Sequence, residues 1–287
     1  MNSSVAHFAR EIGPARFFRR TLLWQVRKRI LRRAYVMRMP TGGTIMLPPT
    51  TSGSAIYITS CDIDWGGERT LASLLSADGI FIDAGAHIGY YALYMAPRVR
   101  EVWAFEPDPE ILPVLRANCA RCRNVRVIPK ALSNVARLLP FLVGQGGTSR
   151  FTAEGTDRAI QVEATTLDGE WQAAGRPTVT ALKVDVEGHD LDVLLGAEQV
   201  VRTNQALVFT EMNNRTRLPE LWRWLDALQY QAWAYTRSRP GDPEIFLSRF
   251  GTAQAAQERY WTMIFLVPQR LATTFESLGS SSRPAHE

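Results

Sequence analysis

Asp83, Gly85 and Gly89 stand in the run Phe81-Ile82-Asp83-Ala84-Gly85-Ala86-His87-Ile88-Gly89-Tyr90-Tyr91. There an apolar strand gives way to a glycine-containing turn and then to a helical stretch. Glycines at such a turn let a ligand approach backbone that a side chain would shield. The spacing D-x-G-x-x-x-G departs from G-x-G-x-x-G, whose glycines admit a pyrophosphate at a helix N-terminus. A carboxylate at 83 would repel a pyrophosphate, so a cofactor carrying a cationic amino group and a sulfonium suits the turn better. Glu106 closes the next apolar run, Val102-Trp103-Ala104-Phe105, 23 residues beyond Asp83. An acid at that strand tip, ~20 residues past the glycine turn, can accept hydrogen bonds from both ribose hydroxyls.

A second group of ionisable residues lies in Leu182-Lys183-Val184-Asp185-Val186-Glu187-Gly188-His189-Asp190. Strand side chains alternate, so Lys183, Asp185 and Glu187 share one face and the valines the other. Charges in an apolar strand are costly unless paired, and Lys183 is expected to neutralise a carboxylate. Asp185, Glu187 and His189 reach the strand tip; Glu211 and Asn213 come to the same rim from the next strand. Proton removal from a weak nucleophile calls for a general base. His189 titrates nearest neutrality, and Asp185, Glu187 and Glu211 are the alternatives; the sequence does not rank them. Asp168, after Thr165-Thr166-Leu167, reads as a helix cap.

The elements that must position these groups alternate. Strands are expected at Ile80–Ala84, Glu101–Glu106, Val125–Pro129, Ala181–Val186 and Ala206–Thr210, with helices at 68–77, 88–97, 108–122, 190–202 and 217–228. Such alternation argues for a doubly wound α/β domain, mostly parallel and covered by helices on both faces. Two late strands, near Gln231–Tyr235 and Tyr260–Leu266, are expected to form an antiparallel hairpin at one edge. Residues 15–38 read as a helix with Phe18, Leu22, Leu23, Val26, Ile30, Ala34 and Met37 on one side. Residues 40–54 read as an irregular entry, and 276–287 as polar and frayed. The organisation expected is a basic helical arm over 1–40, a catalytic domain over 41–270 and a flexible tail over 271–287.

Charge is unevenly placed. The net +5 of the chain arises because residues 1–40 hold ten Lys/Arg and one acid, leaving the remainder at −4. The arm either packs on the domain with its basic face in water or lies against an anionic membrane. A nucleic-acid enzyme would spread basic charge around its cleft, so no nucleic acid is expected as partner. Cys119 and Cys122 form a C-x-x-C pair with no second pair to complete a zinc site, and no metal site is expected. Neither a membrane-spanning run nor a signal peptide is visible. The expectation is a cytoplasmic protein, with peripheral contact at the inner membrane surface through residues 15–38 if the arm docks there.

The runs 81–91, Ala104-Phe105-Glu106-Pro107, Lys130-Ala131-Leu132-Ser133, Thr166-Leu167-Asp168 and Lys183-Val184-Asp185-Val186-Glu187-Gly188-His189 together resemble the FkbM methyltransferases, across roughly residues 60–268. The resemblance implies a Rossmann-like class I methyltransferase fold. It also implies S-adenosyl-L-methionine as cofactor and methyl transfer to oxygen, often a sugar hydroxyl on a glycolipid, polysaccharide or natural product. By the same resemblance Asp83, Gly85, Ala86, His87, Gly89 and Glu106 hold the cofactor, Ala131 and Leu132 flank its adenine, and Glu68 lies near its methionine end. The chain departs from the family pattern at His87, where Asn is usual, and at Asp190, where Glu is frequent. Two other readings stay open: an NAD-dependent oxidoreductase of Rossmann type, which the missing G-x-G-x-x-G disfavours, and a cofactor-binding protein without turnover.

Overall fold

The computed structural model describes residues 12–49, 53–143, 150–151, 159–238 and 244–281. The arm residues Arg10 and Glu11 and the last residues of the expected tail lie outside these ranges.

The arm is shorter as a helix than its periodicity suggests. Pro14 opens the helix Pro14–Gln25, its missing N–H costing nothing at the first turn. A π-helical segment, Val26–Leu31, follows and stops at Arg32, whose φ of 48° is left-handed. The chain then folds back as β1 (Tyr35–Arg38) and β2 (Thr44–Leu47), an antiparallel pair. Gly42 supplies the positive φ in their turn, and Met39 N–H donates to Gly43 O at 2.8 Å. The expected helix over 15–38 and irregular entry over 40–54 are corrected accordingly. The buried stripe differs too: Phe17 and Trp24, two turns apart, face the domain, while Phe18, Leu22, Leu23 and Ile30 are exposed.

Three strands, β3 (Ile80–Ala84), β4 (Glu101–Phe105) and β5 (Val125–Ile128), run parallel in chain order. A small separate sheet follows from β6 (Ala131–Leu132), β7 (Arg137–Leu142), β8 (Arg150–Phe151) and β9 (Ala159–Thr165). The chain returns to the main sheet as β10 (Val179–Val184) and β11 (Leu207–Thr210), both parallel, on the other side of β3. It ends with β12 (Gln231–Thr236), β13 (Phe246–Phe250) and β14 (Ile264–Val267), giving the order β13-β12-β14-β11-β10-β3-β4-β5. The late strands β12 and β14 pair antiparallel, Ala232 opposite Leu266, but not as the expected edge hairpin: β13 intervenes in the chain, pairs with β12 and forms the edge, leaving β14 inside the sheet.

A sheet covered on both faces needs apolar residues at successive positions. Phe81, Val102, Ala104, Ala181 and Phe209 face one layer of helices; Ile80, Ile82, Trp103, Leu182 and Val208 face the other. Connections leave β3 toward β4 on one side and come back to β10 on the other. That reversal opens a crevice beyond the C-terminal ends of β3 and β10, where open α/β sheets bind ligands.

Three further readings change. The stretch 190–202 is two helices, Asp190–Leu195 and Glu198–Asn204. They break at Gly196, where a Cβ would lie 2.0 Å from Ser133 O. Thr166, not Asp168, caps the helix Leu167–Ala173. Asp168 instead accepts from Gln199 N at 3.0 Å and Val200 N at 2.9 Å, capping the helix Glu198–Asn204. The expected tail continues as the helix Ala272–Ser281, with Phe275 fully buried against Trp233 and Phe265.

Candidate active site

A cavity of about 410 Å³ occupies the crevice at the switch point, within the range of small-molecule sites. Gly85 and His87 form its floor from the turn after β3. Glu106, Pro107 and Asp108 come from the tip of β4. Phe105, Ile111, Ala131, Leu132 and Phe141 make an apolar wall, and Asp185, Val186, Glu187 and Glu211 close the side formed by β10 and β11.

Glu106 is built into its place by backbone. Its Oε2 accepts from His87 N at 2.8 Å and its Oε1 from Asp108 N at 2.9 Å. Each oxygen keeps a lone pair for a further donor. Burial pushes the carboxyl up to about 7 against those two hydrogen bonds. His87 sits at a left-handed φ of 49°. Burial, then the Lys183 ammonium, lower its imidazole to about 4, so it is neutral at physiological pH. Its buried Nε2 has no hydrogen-bond partner among the described residues. Glu187 at 52° and Met212 at 50° are left-handed just past the tips of β10 and β11. Non-glycine residues held in this region concentrate at functional sites.

Asp83 is placed differently from the sequence expectation. Its side chain is fully buried and does not line the cavity. Residues 81 and 83 share a face, so the carboxylate points under the helix Tyr90–Met95. Lys183 Nζ lies 3.3 Å from Asp83 Oδ1 and 3.6 Å from Asp185 Oδ2. It also donates to Ala84 O at 3.2 Å and Gly85 O at 2.8 Å. Burial pushes the ammonium down, but Asp83 and Asp185 outweigh it and hold Lys183 above its ordinary value. The Asp83 carboxyl is pushed up by burial while Lys183 pulls it down. Gly85 is compelled by packing: a Cβ there would stand 2.0 Å from Asp185 O, and its φ is +76°.

Asp185 and Glu211 form a hydrogen-bonded carboxyl pair on the cavity wall. Burial, then the Asp185 charge, push Glu211 up to about 11. Burial raises Asp185 as well, but Lys183 and the bond from Glu211 more than offset it and hold Asp185 below its ordinary value. Burial and mutual repulsion thus keep the two carboxyls from ionising together, and the proton they retain near neutrality belongs to the pair. Asn213 Nδ2 donates to Glu211 Oε2 at 2.5 Å.

The remaining candidates divide. Glu187 lines the cavity, whereas His189 does not; its Nδ1 faces Asp192 Oδ2 at 3.4 Å at the start of the helix Asp190–Leu195. Glu68 is buried away from the cavity wall, accepting from Ile63 N at 2.7 Å, Asp64 N at 3.1 Å and Tyr90 Oη at 3.1 Å. Ala86 and Gly89 shape the turn without lining the cavity. Gly89 is left-handed at φ +91°, and a Cβ there would meet the Leu115 side chain at 2.9 Å. Asp108, Lys130, Phe141 and Ala55 line the cavity and were not foreseen. Asp108 follows Glu106-Pro107 directly, a local signal; Phe141 comes from the small sheet, which has no signature in the sequence.

The architecture is the Rossmann-like α/β fold of class I methyltransferases, with its cavity at the switch point of the sheet. The chain belongs to the FkbM methyltransferase family: the methyltransferase FkbM domain matches residues 83–232. Over 149 residues it is 28% identical to the hexuronic acid methyltransferase AglP of Haloferax volcanii, covering 49% of this chain and 60% of that protein. Over 169 residues it is 25% identical to the 2-O-methyltransferase NoeI of Sinorhizobium fredii, covering 51% of this chain and 69% of that protein. A methyltransferase FkbM structure from Methylobacillus flagellatus aligns at a TM-score of 0.47 and 16% identity, over 75% of this chain and 52% of that one.

Proposed function

We propose that the chain uses S-adenosyl-L-methionine to methylate a hydroxyl oxygen on a sugar. The observation that carries the reading is the single cavity wall that joins Gly85, Glu106 and the Asp185–Glu211 pair. Several features suit the cofactor. Glu106 offers lone pairs to ribose hydroxyls, the Phe105, Leu132 and Phe141 surface accepts a flat base, and the unsatisfied Nε2 of His87 waits for a polar partner. When bound, the cofactor supplies a methyl carbon activated by a sulfonium leaving group. The names of AglP and NoeI favour a sugar hydroxyl as acceptor.

The protein's own part is to orient the hydroxyl and take its proton. Asp185 is the group for this: it is ionised, lines the cavity, and is about a third exposed. Glu211, protonated, donates to Asp185 and keeps it in place. His189 is turned toward Asp192 and is set aside as base in this reading.

The test is incubation with S-adenosyl-L-methionine and a panel of hexose and hexuronic acid glycosides, following S-adenosylhomocysteine release and the product by mass spectrometry. A glycoside methylated at oxygen is expected. Cofactor binding with transfer only to non-sugar acceptors would overturn the sugar assignment. Binding with no transfer to any acceptor class would favour a non-catalytic cofactor protein.

A further inference from the structure

We infer that residues 14–38 form a docking surface for an anionic lipid bilayer, and that this surface adjoins the cavity. The inference rests on where the exposed apolar side chains are. Phe18, Leu22, Leu23, Ile30, Leu31 and Val36 are exposed, Phe18 by 74% and Ile30 by 73%. Among the described residues only three other large hydrophobic side chains, Leu138, Ile160 and Leu278, are exposed, the last two by 36%. At 100° per residue Leu22 falls about 150° from the buried stripe of Phe17 and Trp24, and Phe18 and Leu23 flank that stripe at about 110° on either side. The helix is thus apolar on two sides, and the domain covers one.

Charge selects the occupant. Arg16, Arg19, Lys28, Arg29, Arg32, Arg33 and Arg38 are exposed among these apolar groups. The sequence holds no acid from Ile12 to Cys61. A second copy of the chain would bring the same positive charge to the contact, whereas an anionic lipid surface attracts it and accepts the aliphatic and aromatic tips. No helix among the described residues is long and apolar enough to cross a membrane, so the arm lies on the surface.

The buried side of the arm leads to the cavity. Trp24 stacks on Tyr57 with ring centres 5.4 Å apart, Tyr35 meets the same ring edge-on at 5.0 Å, and Arg20 sits 5.0 Å over it. Arg20 also bonds Ser60. Tyr57 belongs to the helix Ser54–Thr59, whose first turn contributes Ala55 to the cavity wall. One six-residue helix therefore separates the lipid-facing arm from the cavity, a placement suited to an acceptor carried on a lipid.

The experiment is flotation of the full chain with vesicles of phosphatidylcholine, with and without about 30 mol% phosphatidylglycerol. Recovery with the anionic vesicles is expected to be at least about fivefold higher, and to fall in high salt. The triple variant Phe18→Ser, Leu22→Ser, Ile30→Ser should lose this recovery while keeping its circular dichroism spectrum and its affinity for S-adenosylhomocysteine, since none of the three touches the cavity. Equal flotation by the triple variant, equal flotation on neutral vesicles, or none at all would overturn the inference. So would light scattering showing a dimer that the triple variant dissolves, with no flotation. Intact cofactor affinity in the variant separates this question from the methyl-transfer reading.

Discussion

Lys183 Nζ stands 3.3 Å from Asp83 Oδ1 and 3.6 Å from Asp185 Oδ2, so one ammonium links a sealed carboxylate to an accessible one. Asp83 has no other counter-ion at this distance among the described residues. Removing one partner of a buried pair leaves an uncompensated charge and costs about 3–5 kcal/mol. Lys183→Met is expected to lose that much in urea unfolding, and adding Asp83→Asn to recover part of it. A single variant within about 1 kcal/mol of the parent would show that the pair contributes little.

Gly85 and Gly188 give a contrast between space and strain. Both have positive φ, but a Cβ at 85 would lie 2.0 Å from Asp185 O, while at 188 nothing lies within 4 Å. Gly188→Ala should cost about 1 kcal/mol, the backbone penalty alone. Gly85→Ala should cost more than about 3 kcal/mol because β3 and β10 must part. Denaturation midpoints of the two variants check this, and equal losses would contradict the close approach.

The carboxyl pair makes an asymmetric prediction for turnover. Glu211 is pushed up to about 11 and holds its proton at neutrality, so Glu211→Gln keeps the shape and charge of the working state. Its kcat should stay within about tenfold of the parent. Asp185→Asn removes the proton acceptor and should lower kcat by about 10²–10⁴-fold with cofactor affinity preserved. Because Asp185 is held below its ordinary value, the rate should fall only at acidic pH. The reverse ranking of the two variants would move the base to Glu211.

Glu68 links pH to stability. Burial, then the Asp64 charge, raise its carboxyl from 4.5 to about 8. The folded state binds the proton more tightly than the unfolded one, so its contribution is fully present below 4.5 and is lost as pH rises to about 8. Glu68→Gln keeps the acceptor for Ile63 and Asp64 N–H but cannot ionise. Melting temperatures of parent and variant should approach each other below pH 4.5, and at pH 9 the variant should melt on the order of 10 °C higher. A parent stability unchanged between those pH values would contradict the raised carboxyl.

The fold was legible because the parallel strands need apolar residues on both faces and end at distinct turns; Ile80–Ala84 matches the strand expected there. The glycine turn, Glu106 and the Lys183 pairing were legible for the same local reason. Asp83 was misplaced because strand alternation fixes a face, not which face holds the ligand. The arm was misread because Phe18, Leu22 and Ile30 have helical spacing, yet burial chose Phe17 and Trp24. β6 and β8 escaped notice because Ala131–Leu132 and Arg150–Phe151 are two-residue strands defined by distant partners, and β7 because Pro140 interrupts its apolar run. The cap of the helix Leu167–Ala173 was assigned to Asp168 instead of Thr166 because the sequence does not show that Asp168 reaches a helix 31 residues away.

The most direct test is calorimetric titration of S-adenosylhomocysteine into the parent and Glu106→Gln across pH 5.5–8.5, bracketing the carboxyl raised to about 7. Ribose hydroxyls donate to the ionised carboxylate, so the parent should show one saturable site. Its affinity should fall by up to about tenfold per pH unit below 7. The Glu106→Gln variant should bind more weakly, with a flattened pH profile. Absence of saturable binding by the parent, or identical affinities and pH profiles for the two proteins, would contradict the account.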